Sequence, residues 1–238
     1  MGSIGYTTLS RQSGLLKEMQ VVANNIANSS TTGYRSEGLI FSEYVKSAPG
    51  QESLSMGRAN IRNTSLEQGT LSQTNGSLDL AIEGDGFFMV ETPAGNRLTR
   101  GGNFSSNAAG DLVTADGHRV LDAGQAPVFI PGDARSIAFG ADGTLSADGQ
   151  QIGQIGVFLP EEGAQILRED GVMFRVEGET VAAPDAKVLQ GFLEGSNVNT
   201  IHQLARMIEV QRAYEMGQSF LDNEDKRIRA AVDNLMKS

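Results

Sequence analysis

The first segment of the chain has apolar residues at the intervals expected of a helix that buries one stripe. From about Ile4 to Ala27 it contains no proline, and Asn28 and Gly33 then supply residue types that end helices. The stripe advances by seven, three, four and three positions through Leu9, Leu16, Met19, Ala23 and Ile26. This spacing predicts an amphipathic, heptad-like helix at the amino-terminal end.

The last segment predicts a second long helix. Asn197 or Asn199 is suited to cap its first turn, and no proline follows as far as Lys237. A heptad seam runs through Met207, Val210, Tyr214, Leu221, Ile228 and Leu235, with interruptions at Gly217 and Glu224. We therefore expect two terminal helices that pair either within one chain or between neighbouring chains.

The middle of the chain has a different pattern, in which short apolar runs alternate with glycine-containing turn pairs. Of the 29 glycines, 22 fall within residues 51–195. Leu78, Leu80 and Ile82 alternate with polar or small residues, as in a half-buried strand. The pattern predicts a mainly antiparallel β domain, either a barrel or a meander.

These segments together predict an α+β chain with a β domain inserted between the two halves of a coiled-coil assembly domain. We expect the amino-terminal helix and an extended arm in residues 1–46, and a polar linker in 47–69. The β-rich outer domain is expected in 70–194 and the carboxy-terminal helix in 195–238.

Charge is distributed unevenly along the chain, whose net charge is −10. Residues 51–195 contain nine basic and 20 acidic side chains, whereas both ends are close to neutral. This distribution suits an acidic middle that stays in solvent and ends that pack against other protein. It provides no basic groove, so we expect no nucleic-acid partner.

Candidate chemistry is sparse. There are no cysteines, and the two histidines, His118 and His202, are far apart without a third ligand at recognisable spacing. We therefore expect no catalytic residues, no cofactor, no metal and no small-molecule substrate. The sequence also shows no secretory signal and no apolar run long enough to span a membrane, so we expect no membrane insertion.

Four stretches of the sequence carry a family resemblance. They are Ala23-Asn24-Asn25-Ile26-Ala27-Asn28 with Thr32-Gly33-Tyr34-Arg35; Gly69-Thr70-Leu71-Ser72-Gln73-Thr74-Asn75 leading to Gly84-Asp85-Gly86-Phe87-Phe88; Thr99-Arg100-Gly101-Gly102-Asn103-Phe104; and Leu193-Glu194-Gly195-Ser196-Asn197-Val198. In this order they resemble the bacterial flagellar axial proteins, the rod and hook group. The short middle is most similar to proximal rod members, and the distal rod members, which share all four stretches, are the alternative.

The resemblance implies a structural subunit of the flagellar basal-body rod. Such subunits polymerise helically into a hollow drive shaft that transmits torque and conducts exported subunits. It implies export by the flagellar type III apparatus without a cleaved signal peptide, and a location in the rod within the periplasm. The implied partners are the export apparatus, copies of the chain itself, and other proximal and distal rod subunits. The rival hypothesis is a secreted β-rich binding module or enzyme with helical tails.

On this hypothesis the functional residues form an assembly interface. The expected packing residues are Leu9, Leu16, Met19 and Ile26 of the first helix and Met207, Val210, Tyr214 and Leu221 of the second. Asn24, Asn25 and Asn28 are expected to act as helix-end amides that bond neighbouring backbones. Gly33 is expected in a turn that most side chains would strain.

Overall fold

The chain has one helix at each end and antiparallel strands between them, which confirms the predicted α+β class. A computed structural model describes the backbone of residues 2–46 and 54–237 and the side chains of residues 8–40, 63–233, 235 and 236. The helices are α1, Gly2–Ala27, and α2, Thr200–Lys237. The described residues form two compact units. Unit 1 contains both helices and two strands, and unit 2 contains Asn28–Ser36 and Leu66–Val198.

Helix boundaries follow from polar residues at the ends. After α1, the backbone N–H of Thr31 donates to the carbonyl of Asn28 at 3.1 Å, which closes a turn. Before α2, the Oδ1 atom of Asn199 accepts a hydrogen bond from the backbone N–H of His202 at 3.1 Å. Asn199 is therefore the residue that caps α2, whereas Asn197 belongs to unit 2.

In unit 1 the two helices pack in antiparallel directions. Near the end of α1, the Asn25 amide donates to Gln203 near the start of α2, at 3.3 Å. Earlier in α1, Gln12 donates to the carbonyl of Tyr214, further along α2, at 3.1 Å. Because the partner position on α2 rises as the position on α1 falls, the terminal helices of one chain form an antiparallel pair.

The two strands of unit 1 form an antiparallel ribbon. β1, Glu37–Lys46, pairs with β2, Leu54–Thr64, with a register shift between Ile40 and Phe41. β2 lies inside the segment 47–69 that was expected to be a linker. The backbone pairs with β1 although the apolar alternation of β2 changes phase, from Leu54 and Met56 to Ala59 and Ile61, so that no continuous strand pattern results.

Unit 2 contains 16 short strands. They are β3 Leu71–Gln73, β4 Leu80–Glu83, β5 Phe87–Thr92, β6 Gly95–Thr99, β7 Ser105–Ser106, β8 Leu112–Val113, β9 Arg119–Val120, β10 Ile137–Phe139, β11 Thr144–Ala147, β12 Gln150–Gln154, β13 Val157–Pro160, β14 Gln165–Asp170, β15 Met173–Glu177, β16 Thr180–Ala182, β17 Lys187–Gln190 and β18 Phe192–Glu194. Every pairing between them is antiparallel. The glycine-punctuated pattern of the middle segment correctly predicted this class of structure.

The largest sheet of unit 2 has nine strands. Its path runs β14-β15-β6-β5-β9-β8-β7, and β13 joins it by pairing with β5 and β16. A three-stranded sheet, β10-β11-β12, and the pairs β17-β4 and β18-β3 complete the unit. The two pairs join late strands to the earliest strands of unit 2, so the unit closes only through contacts distant in sequence.

β5 separates two apolar cores, because its successive side chains point to opposite faces. Phe88 and Val90 belong to one core, where Phe88 meets Phe104 edge-on at 5.3 Å between ring centroids. Phe87 and its neighbours belong to the other. A strand with both faces buried is the centre of its sheet, so unit 2 is built outward from β5.

The backbone of unit 2 is tightly packed at Gly102. A Cβ atom at this position would lie 1.6 Å from the carbonyl oxygen of Leu80, whose N–H donates to the Gly102 carbonyl at 3.0 Å. We expect Gly102→Ala to lower the free energy of unfolding of unit 2 by at least about 1–3 kcal/mol, because the backbone of β4 must move. Calorimetric unfolding measures the effect.

The matched control is Gly132→Ala, since a Cβ atom at Gly132 would meet nothing within 4 Å. We expect this variant to unfold close to the wild-type temperature. Equal stability of the two alanine variants would contradict the packing described for Gly102.

Candidate functional site

Unit 2 contains a buried carboxylate that contacts two arginines. Glu194, the last residue of β18, is 1% exposed. One of its oxygens, Oε1, lies 2.8 Å from Nη2 of Arg35, and Oε2 accepts a hydrogen bond from Nη1 of Arg100 at 2.9 Å. Oε1 also accepts from the backbone N–H of Gly69 at 2.8 Å. We call Arg35, Arg100 and Glu194 the charged cluster.

Backbone carbonyls supply further partners for the two guanidinium groups. Arg35 donates to the carbonyl of Glu67. Arg100 donates to the carbonyls of Ile82 at 3.2 Å and Gly84 at 2.7 Å. Among the described residues, the Nε atoms of both arginines have no hydrogen-bond partner. The cluster is thus largely but not fully satisfied, and its position is set by carbonyls before, within and after β4.

Burial dominates the electrostatics of the charged cluster. It lowers the pKa of the Arg35 guanidinium to about 10, a shift that Glu194 opposes and the like charge of Arg100 reinforces. Burial also lowers the pKa of Arg100, again against the attraction of Glu194. Glu194 is the buried carboxylate that both arginines share, and the exposed Asp85 adds a weaker attraction that also opposes the lowering of the two pKa values.

Gly33 allows the backbone to approach this cluster. Its φ of +71° is in the left-handed region, and its N–H donates to the carbonyl of Glu194 at 2.7 Å. A Cβ atom here would lie 2.3 Å from the backbone nitrogen of Gly101. Gly33 therefore lies in a turn, as the sequence predicted, and its lack of a side chain also serves close packing against the backbone of 100–101.

Further contacts hold the segment Asn28–Ser36 within unit 2. The guanidinium of Arg168 lies over the ring of Tyr34 at 4.3 Å. Asn197 accepts from the backbone N–H of Ser36 at 2.6 Å and donates to the carbonyl of Glu67 at 2.8 Å. The segment that follows α1 is thus attached to unit 2 by charge, ring and amide contacts.

Asn25 has a corresponding role in unit 1. Its buried amide donates to the carbonyl of Glu37 at 2.7 Å and accepts from the N–H of the same residue at 2.9 Å. This pair of bonds imitates strand pairing and joins the end of α1 to the start of β1. The backbone that this helix-end amide bonds belongs to its own chain.

The other predicted amides lie near the same helix end. Asn28 accepts a hydrogen bond from the hydroxyl of Thr31 at 3.1 Å. The side chain of Asn24 is exposed. Of these three amides, Asn25 joins α1 to β1 and to α2.

The predicted seam residues fall into two groups. Met207, Val210, Tyr214 and Leu221 share the side of α2 that faces α1, and Val210 is fully buried there. On α1, by contrast, Val21 and Val22 are buried, while Leu9 is 57% and Leu16 is 46% exposed. Met19 and Ile26 are half-buried. The structure therefore uses the predicted seam of α2 within the chain and leaves part of the α1 seam uncovered.

Sequence analysis assigned no role to Arg35, Arg100 or Glu194, although each lies in one of the four quoted stretches. The available signal was the occurrence of charged residues within otherwise apolar and glycine-rich motifs. Among the described residues, no group of three His, Asp or Glu side chains could hold a metal ion. No helix of the described chain has the length and apolar character needed to cross a membrane.

Three protein-family models match the chain, and each contains one member of the charged cluster. Residues 6–35 match the flagella basal body rod protein model, and residues 81–147 match the flagellar hook protein FlgE/F/G D1 domain. Residues 189–234 match the flagellar basal body rod FlgEFG protein C-terminal model. The cluster thus joins segments from all three.

Curated relatives match over nearly the whole length. The flagellar basal-body rod protein FlgF of Caulobacter vibrioides is 38% identical over 98% of this chain and 97% of its own. FlgF of Rhizobium meliloti is 37% identical over 97% and 96%, and the rod protein FlgG of Bacillus subtilis is 29% identical over 96% and 97%. The chain therefore belongs to the flagellar basal-body rod protein family, in its FlgF-like group, and is a structural subunit of the rod rather than an enzyme.

Proposed function

We propose that this subunit polymerises helically, through its terminal helices, into the hollow proximal part of the flagellar rod. Its partners in this assembly are copies of itself and other proximal and distal rod subunits. In this role it transmits torque across the periplasm and lines the channel for later exported subunits. It reaches the rod through the flagellar type III apparatus without cleavage of a signal peptide.

The observation that carries this proposal is the uncovered stripe on α1. Leu9, Leu16 and Ala23 are exposed and seven residues apart, which is the spacing of a coiled-coil seam. They lie about 100–140° around the helix from Val22, which is buried within the chain. α1 therefore packs inside its own chain with one face and offers a second, heptad-spaced face to a neighbouring helix. We call Leu9, Leu16 and Ala23 the α1 stripe.

The charge distribution supports the same arrangement. Unit 2 contains 19 acidic and eight basic side chains, whereas unit 1 is nearly balanced. Subunits packed through unit 1 avoid most of the like-charge repulsion that contacts between two copies of unit 2 would bring. We infer that unit 1 supplies the coiled-coil assembly domain and that unit 2 forms the outer β domain, as a meander rather than a barrel.

The proximal place in the rod rests on the degree of similarity. FlgF relatives are 37–38% identical to the chain, whereas FlgG relatives are 29–32% identical. The distal rod function of the FlgG type is therefore the second candidate.

The charged cluster contributes to this function indirectly. It fixes the segment Asn28–Ser36, which directly follows α1, to unit 2. We propose that Glu194 is the residue that holds this segment in place within unit 2.

A double substitution on the α1 stripe tests the assembly proposal. We expect Leu9→Asp with Leu16→Asp to leave thermal unfolding unchanged, because both side chains are already exposed. Incorporation into basal bodies and swimming should be lost, since an unpaired carboxylate buried between helices costs several kcal/mol. The measurements are soft-agar swimming and the content of the chain in purified basal bodies, in cells that lack the wild-type copy.

Lys17→Asp is the control for this test, because Lys17 is exposed on the same helix and lies about 80–120° around it from the α1 stripe. It should support swimming. Normal incorporation of the double leucine variant would overturn the proposed interface.

Removal of the Glu194 charge tests the attachment. We expect Glu194→Gln to destabilise unit 2 by about 3–5 kcal/mol, because the substitution leaves two buried guanidinium groups without the buried carboxylate that they share. Differential scanning calorimetry of the purified chain measures the loss. Glu162→Gln, at an exposed carboxylate of the same unit, is the matched control and should unfold like the wild type. Equal stability of the two variants would show that the cluster does not hold the segment.

A further inference from the structure

An apolar groove lies beside Gly217 and is lined by residues of both helices. Leu15 of α1 and Ala213, Met216, Gly217 and Phe220 of α2 line a space of about 310 Å³. Gly217 lines this space without a side chain, and a Cβ atom there would lie 2.7 Å from the Gln12 amide nitrogen. We call this space the Gly217 groove. All of its lining belongs to unit 1.

A protruding apolar patch lies on another side of the same helix. Ile201, Leu204 and Ile208 are 79%, 49% and 52% exposed. Their spacing of three and four residues puts them on one face, about 120–180° around α2 from Val210. This face points away from α1, and we call these three residues the outer patch.

The groove and the patch are unlike surfaces that cannot meet within one chain. They are centred about 140° apart around the same rigid helix. A two-fold dimer would use the groove and the patch of both copies at once, whereas a head-to-tail contact uses the groove of one copy and the patch of the next. A head-to-tail series then keeps one free groove at one end and one free patch at the other, so the contact can repeat unless the series closes into a ring.

Charge also favours the pairing of groove with patch. The exposed Arg11 lines the Gly217 groove. The exposed Glu215 continues the line of the outer patch, seven residues after Ile208. Opposite charges beside complementary apolar surfaces set the register of a contact and disfavour pairing of like surfaces.

We propose that the Gly217 groove of one copy receives the outer patch of a second copy, with Arg11 near the second copy's Glu215. This inference deepens the proposed function, on which it rests, by naming two surfaces that join consecutive copies. It adds a contact that the α1 stripe does not provide.

Because the chain has no cysteine, disulfide cross-linking can test this contact without background. Cells that lack the wild-type copy would produce two differently tagged chains, one with Ile208→Cys and one with Met216→Cys. Disulfides form only when Cβ atoms approach within about 4.5 Å, so a product reports direct contact. We expect non-reducing gels of purified basal bodies to show a product of about twice the chain mass that carries both tags.

The controls separate the alternatives. Each cysteine variant alone should give no dimer, and replacement of Met216→Cys by Gln218→Cys, at an exposed position outside the groove, should abolish the mixed product.

Dimers from a single variant would overturn the head-to-tail contact. Basal bodies that contain both chains without a mixed product, with Leu204→Cys as well as with Ile208→Cys, would overturn the inference and leave the proposed function intact. Absence of every variant, the Gln218→Cys control included, from basal bodies would instead contradict the proposed function.

A charge reversal tests the polar part of the contact. Arg11→Glu in the Met216→Cys chain should reduce the yield of the mixed product several-fold, and Glu215→Arg in the Ile208→Cys chain should restore it. A yield that neither reversal changes would show that these charges do not set the register.

Discussion

The carboxylate of Glu194 is the interaction on which unit 2 depends. A buried ion pair adds little net stability, because desolvation of the charges offsets their attraction, but it tolerates no misplacement of a partner. Here one carboxylate must satisfy Arg35, Arg100 and the backbone N–H of Gly69 at once. Three segments that are distant in sequence can therefore reach low free energy in one arrangement only. The charged cluster therefore contributes more to the selection of one fold than to its free energy of unfolding.

In unit 1, a neutral side chain positions elements that are distant in sequence. The amide of Asn25 contacts both the backbone of Glu37 and the side chain of Gln203, so one residue joins α1 to β1 and to α2. An amide carries a smaller desolvation cost than an ion pair and still demands defined geometry. Both units thus use a buried polar residue from a quoted motif to position elements, while the apolar stripes supply most of the burial.

Local patterns in the sequence predicted the local structure well. Periodicity located α1 and α2, glycine pairs indicated the short antiparallel strands, and Asn199 was one of two residues named as a cap. The sequence did not predict β2, because its apolar alternation changes phase between Met56 and Ala59. The charged cluster was missed because Arg100 and Glu194, 94 residues apart, form a contact that no local pattern encodes. Heptad spacing identified Leu9 and Leu16 but not which face of α1 its own chain would bury.

The order of the cluster along the chain has a consequence for delivery. Arg35 lies near the start of the sequence, Arg100 near the middle, and Glu194 close to α2. A polypeptide threaded through a narrow channel with its amino terminus first would emerge with both cations long before their shared anion. Contacts between distant residues are slow to form, and here they wait for the last strand of unit 2. Unit 2 can therefore complete its charged cluster only after Glu194 has joined the two arginines.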